Sequence, residues 1–165
     1  MLKIIPNLWF DGNAEEAAEF YISVFPNSRI TNTYRNGDAV VSIDFELDGH
    51  AFTGINGGPH FTFNEAVSFA IPCTGQAESD HYWHALTADG GVESQCGWLK
   101  DRFGVSWQVY PRELGELLSD PDPDRAARAL AAMLQQHRID TVAIRAAADG
   151  PAAEDGPSSD RPGPS

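Results

Sequence analysis

Cys96-Gly97-Trp98-Leu99-Lys100-Asp101-Arg102-Phe103-Gly104-Val105-Ser106-Trp107-Gln108-Val109-Tyr110-Pro111 is the stretch on which the fold turns. Two segments rich in Trp, Val, Leu and Tyr flank Asp101-Arg102-Phe103-Gly104, a turn sequence whose Gly can take positive φ, so the run reads as a β-hairpin. Pro111 closes the second strand, where a backbone N–H is no longer needed. Along that strand Val105, Trp107 and Val109 point one way, and Ser106, Gln108 and Tyr110 the other. Such a strand fits a sheet that packs on helices behind and lines a cavity in front. The plainer alternative is a well-packed hairpin with no cavity.

Upstream, the same order of elements occurs twice. Lys3 to Phe10 is β-prone, and Asn13 with Glu16 makes a capping-box signal for a helix to about Phe25. Strands follow at about Ile30 to Arg35, Val40 to Leu47 and Ala51 to Asn56, turned by Asn36-Gly37 and Asp48-Gly49. After the connector from Gly57-Gly58-Pro59 to Asn64, Ala66 to Cys73 is again strand-like. A helix to about Ala88 comes next, then strands at about Val92 to Gln95, Trp98 to Phe103 and Val105 to Tyr110. Asp11-Gly12-Asn13-Ala14-Glu15 and Thr74-Gly75-Gln76-Ala77-Glu78 stand 63 residues apart, each between a strand and a helix, with Phe20 opposite Trp83. The expected fold is therefore α+β, a duplicated βαβββ unit over about 3–58 and 66–111. Helices follow over 113–148, with Asp122-Pro123 and Asp140 as start signals and Ala127, Leu130, Ala131 and Leu134 as an apolar stripe for packing or dimerisation. One domain over 1–148 is expected, with a disordered Pro/Gly/Ser and acidic tail over 149–165.

The chain has 165 residues and a net charge of −13, with no basic run, which disfavours nucleic acid and anionic membranes as partners. No apolar stretch is long enough to span a bilayer. Two cysteines, Cys73 and Cys96, are too few for a disulfide framework, and a cytoplasmic, reduced protein is the simplest inference.

Several motifs resemble one branch of the vicinal oxygen chelate superfamily, the glyoxalase/bleomycin-resistance/dioxygenase fold. They are Trp9 to Ala17, Phe20-Tyr21, Phe25-Pro26-Asn27-Ser28, Gly57-Gly58-Pro59, Tyr82-Trp83 and the whole of Cys96 to Pro111. Ala131 to Leu134 and Arg138-Ile139-Asp140 look similar too. The branch is that of the PhnB-like proteins, often described as 3-demethylubiquinone-9 3-methyltransferases. The resemblance implies two units whose curved sheets together enclose a cavity, frequently a homodimer, and in the enzymatic members a divalent metal held by one residue from each of four strands.

Against that pattern, Gln108 falls where metalloenzyme members carry Glu, and Asn7 and Asn56 are the other cavity-side donors expected. Three neutral amides make a poor metal cage, so no metal and no cofactor are expected. His81 and His84 lie at i and i+3 on the second helix and read as solvated surface, as do His50, His60 and His137. A nucleotide-binding methyltransferase fold is also disfavoured, because Gly57-Gly58-Pro59 precedes a strand rather than opening a helix. Cys96 with Lys100 is a weak candidate pair for nucleophilic chemistry, an ammonium beside a thiol raising its reactivity; a buried, inert thiol is the alternative. The aromatics Trp9, Trp98 and Trp107 could stack on a planar ligand or simply fill the core. The reading that follows is a metal-independent protein binding a small, partly aromatic molecule through Asn7, Trp9, Asn56, Ser68, Trp98 and Gln108. The alternative is an enzyme of the family, the methyl transfer included.

Overall fold

The computed structural model describes residues 4–150; of the tail expected to be disordered over 149–165, Asp149 instead ends a helix (Thr141–Asp149), and residues 151–165, like Met1 to Lys3, lie outside the described residues. β1 (Asn7–Phe10) turns through Gly12, at φ +84°, into α1 (Ala14–Val24). β2 (Arg29–Asn36), β3 (Ala39–Leu47) and β4 (His50–Asn56) then form an antiparallel meander. Asp48 and Gly49 both take positive φ in the last tight turn, as a two-residue hairpin loop requires. β4 returns beside β1 and pairs with it in parallel, giving the order β1-β4-β3-β2.

The second unit repeats this plan. β5 (Phe69–Cys73), α2 (Gln76–Thr87), β6 (Val92–Glu93), β7 (Trp98–Lys100) and β8 (Ser106–Pro111) give the order β5-β8-β7-β6, again with one parallel pair, β5 with β8. The duplication read from the sequence is therefore present in topology. It also fixes equivalent positions: Asn7 pairs with Thr53 as Ala70 pairs with Gln108, and Phe10 with Asn56 as Cys73 with Pro111.

Four strands are shorter than expected. β1 begins at Asn7 rather than Lys3, β5 begins at Phe69 rather than Ala66, β6 ends at Glu93, and β7 stops at Lys100. The cause at β7 is Asp101, whose carboxylate accepts the Phe103 and Val105 N–H groups (2.9 and 3.0 Å) and folds Asp101 to Gly104 into a side-chain-stabilised turn. Cys96 lies in a turn at φ +59°, not on a strand.

Each sheet buries one side against its helix. α1 presents Ala14, Ala17, Ala18 and Tyr21, small residues that let it approach closely. Gly54 on β4 serves the same approach, since a Cβ there would lie 3.1–3.2 Å from Ile43 and Ala14. α2 presents Ser79, Tyr82, Trp83 and Leu86. The two helix-bearing sides merge into one core. Phe25 stacks on Tyr82 with ring centres 5.1 Å apart, Tyr21 meets Trp107 at 5.7 Å, and Phe52 meets Phe69 at 5.3 Å. The polar sides of the sheets consequently point away from the shared core, so among the described residues they do not face each other across the cavity that was expected.

α3 (Glu113–Leu118), α4 (Pro123–Met133) and α5 (Thr141–Asp149) form a second cluster around Leu114, Leu117, Ala129, Ile139 and Ile144. Asp122 and Asp140 cap α4 and α5 as expected. The stripe of Ala127, Leu130, Ala131 and Leu134 instead faces outward: Ala129 is the buried residue of α4, packed with Ala132 and Met133, and Leu130 is 46% exposed. The helices are tied to the second unit by Cys96 and Gly97 N–H bonds to the Gln136 and His137 carbonyls, and by the Arg138–Asp80 pair.

Candidate functional site

Strand register lays out two polar rows, one on the open face of each sheet. In the first, Asn7, Thr53, Asp44 and Asn32 stand side by side across β1, β4, β3 and β2. Thr53 donates its hydroxyl to the Asp44 carboxylate at 2.7 Å. In the second, Ala70, Gln108 and Trp98 stand across β5, β8 and β7. Gln108 donates Nε2–H to the Ser68 hydroxyl at 2.8 Å. Thr53 and Asp44 did not figure in the sequence reading. The alternation on β4 runs opposite to that reading: Phe52 and Gly54 are buried on the helix side, so Thr53, not Asn56, is the β4 residue of the open row.

Asn56 is spent elsewhere. Its Oδ1 accepts the Ala14 N–H at the start of α1 (2.9 Å), and its Nδ2 donates to the Val40 carbonyl (3.0 Å). The indoles divide three to one. Trp107 is buried and donates to Asp101, Trp83 to Glu93, and Trp9 to the Gly58 carbonyl. Trp9 also meets Phe61 edge-on at 4.9 Å and lies so close to the connector that a Cβ on Gly57 would come within 2.0 Å of it. Trp98, half-buried beside Gln108, has no N–H partner among the described residues.

The Cys96–Lys100 pairing rested on both residues sharing a strand. Cys96 instead points its Sγ at the Met133 carbonyl (3.8 Å) from a turn, and Lys100 is held by Glu65 at 2.5 Å. The remaining thiol, Cys73, is buried, and burial pushes its pKa up to about 11, which makes it a poor nucleophile.

Tested as metal ligands, the open rows supply the neutral groups Asn7, Thr53 and Gln108, already donating to Ile5, Asp44 and Ser68, and one carboxylate, Asp44, which takes the Thr53 hydroxyl. No cluster of three or more His, Cys, Asp or Glu suited to a metal ion occurs among the described residues. The donor set does not fit the divalent ion of the enzymatic superfamily members. His81 and His84 are exposed, as expected.

A buried node that sequence reading took only for turn chemistry joins the two units. Asp101, 3% exposed, also accepts the Tyr21 hydroxyl (2.7 Å) and the Trp107 indole N–H (2.8 Å). Burial lifts its carboxyl above the ordinary range despite these donors, and burial beside Asp101 lifts the Tyr21 phenol well above its own. Where the units meet there are also cavities. The one on the α2 side measures about 490 Å³ and is lined by Phe25, Phe52, Tyr82, Trp107, His50 and Arg112, among others. A smaller one, about 250 Å³, brings Asn7 of the first unit against Ser106 of the second.

Residues 2–110 match the family described as 3-demethylubiquinone-9 3-methyltransferase, so α3 to α5 lie outside the matched region. Among solved structures, the chain is similar to a putative 3-demethylubiquinone-9 3-methyltransferase, PhnB protein, from Bacillus cereus. That likeness is 32% identical over 67% of this chain and 99% of the other, with a TM-score of 0.62. A Pseudomonas aeruginosa protein shares the fold at 22% identity, over 65% of this chain and 95% of the other, with a TM-score of 0.56. The fosfomycin resistance protein FosX of Listeria monocytogenes, solved with Mn(II) and sulfate, is more distant: 15% identity, 72% of this chain, 97% of the other and a TM-score of 0.49. No curated protein matches.

Proposed function

The chain belongs to the 3-demethylubiquinone-9 3-methyltransferase family, the PhnB-like branch of the vicinal oxygen chelate superfamily, and from that membership we propose a metal-independent protein that binds a small, partly aromatic molecule. The observation that carries the reading is the open row of the second sheet. There a half-buried indole with an unspent N–H stands beside the Gln108–Ser68 pair, a flat apolar surface bordered by amide and hydroxyl groups. An aromatic ring would stack on Trp98, and its polar substituents would meet Gln108 and Ser68. Asn7 and Thr53 of the first sheet form the matching half, and a two-fold pair of chains would bring the first sheet of one protomer over the second sheet of its partner. A homodimer with two composite pockets is part of the proposal.

Native mass spectrometry of protein purified from cell extract tests it. A dimer carrying a co-purified aromatic molecule, lost on Trp98→Ala and Gln108→Ala, is the expected result. Stoichiometric Zn, Fe or Mn would overturn the metal-free reading. The family description favours a second reading, methyl transfer, and a bound methyl donor in the same spectrum would establish it in place of the first. What weighs against it is architecture: Gly57 and Gly58 pack the connector against Trp9 instead of opening a phosphate-binding helix.

A further inference from the structure

We propose that the 490 Å³ cavity between the two units is a second small-molecule site, taking an aromatic zwitterion such as an aromatic α-amino acid. Its volume is in the range of ligand pockets, and Phe25, Phe52, Phe69, Tyr82 and Trp107 give it ring-shaped walls. The polar groups set the class of ligand. Arg112, an exposed residue at the rim, donates Nε–H to the Pro72 carbonyl at 3.1 Å, and its terminal nitrogens make no hydrogen bond among the described residues. Among the described residues, no carboxylate oxygen lies within 4 Å of it, whereas Arg29, Arg35, Lys100, Arg102, Arg125, Arg138 and Arg145 are each paired with Asp or Glu. Arg128 is spent on the Ala148 carbonyl. In a chain of net charge −13, an arginine left without a carboxylate at the edge of an aromatic cavity is a carboxylate receptor.

The same lining contains Asp48 and Glu78. Glu78 has one oxygen committed to the Thr74 N–H and one not. A ligand that is only anionic would answer Arg112 and meet these two carboxylates; one that is only cationic would answer them and leave Arg112 unpaired. A ring bearing both an ammonium and a carboxylate satisfies all three. The site is distinct from the open-face reading, because neither Trp98 nor Gln108 lines it, although Ser68 and Ala70 touch both.

Calorimetric titration of the full chain with L-tryptophan, tryptamine and indoleacetate decides the matter. L-tryptophan is expected to bind at least about tenfold more tightly than either analogue, the difference expected when one charged pair is lost. Arg112→Gln should remove the preference over tryptamine while leaving tryptamine itself bound as before. No heat with L-tryptophan, or equal binding of all three, would overturn the proposal without recourse to any variant. So would an Arg112→Gln chain that keeps the full preference.

Discussion

At the scale of single residues, Asp101 does most to decide how the two halves of the molecule sit. It takes two backbone N–H groups of its own turn and two side-chain donors, Tyr21 from α1 and Trp107 from β8. Asp101→Asn keeps the shape but turns an NH₂ toward N–H or O–H donors, leaving at least one buried donor unmatched. A loss of about 3 kcal/mol in urea unfolding is expected, and about 1.5 kcal/mol for Tyr21→Phe, which removes one donor and leaves the carboxylate three. The pH dependence has a definite sign. Burial holds the folded carboxyl above its unfolded pKa, so its contribution to stability is full below the unfolded value and is lost as pH rises through the folded one. The stability gap between the native chain and Asp101→Asn should therefore widen from pH 7 toward pH 4. A gap that narrows would show the carboxylate to be stabilised in its charged form. Asp101 was legible in the sequence as a turn residue and Tyr21 as a helix-face aromatic. That they meet was not, because 80 positions separate them and neither pattern encodes the other.

At the scale of elements, periodicity and turn chemistry placed β2, β3 and β4 to within a residue, since Asp48-Gly49 and the alternation of Ile43, Phe45 and Leu47 leave little choice of register, whereas β1 begins at Asn7 rather than Lys3. The start of α1 shows where such signals stop. Asn13 and Glu16 form a capping box on paper, yet the Asn13 side chain makes no cap bond. Parallel pairing of β1 with β4 brings Asn56 beside Phe10 at the end of β1, and the Asn56 amide reaches the Ala14 N–H instead. A cap supplied by a strand 42 residues away has no local signature. The second unit has Pro111 at the equivalent position, and there Glu78 of α2 takes the Thr74 N–H. Asn56→Ala is accordingly expected to lower stability by about 1 kcal/mol, a typical cost for a lost cap, while Asn13→Ala should stay within about 0.5 kcal/mol. Thermal or urea melts of the two variants compare them directly; the reverse order would return the cap to Asn13. The same long-range register explains why Asn56 was expected at the ligand face and Thr53 was missed: a parity assigned from one strand alone has two solutions, and only the partner strand chooses between them.

At the scale of the whole molecule, the sequence told that there are two units but not which sides they share. Helix-face aromatics read equally well as the core of one unit or as the join between two. In the structure Tyr21, Phe25 and Phe52 from the first unit reach Tyr82, Trp107 and Phe69 from the second, so neither unit covers its own apolar side. Each unit nevertheless holds all four strands and every ladder of its own sheet, so hydrogen bonding alone would let it stand by itself. The two considerations make opposite predictions for a chain cut in the connector. A unit of about 60 residues buries a smaller share of its surface than a larger domain and is marginal even with a closed core. Deprived of its partner, it would also expose Phe25 and Phe52 and leave the Tyr21 hydroxyl without Asp101. Burial of aromatic side chains outweighs ladders that water can replace. Residues 1–65 produced alone should therefore lack the near-ultraviolet circular dichroism of fixed aromatic rings, and should regain it on mixing with residues 66–165. A fragment that shows that signal unaided would mean that each sheet with its helix is a folding unit, and that the shared core only docks them.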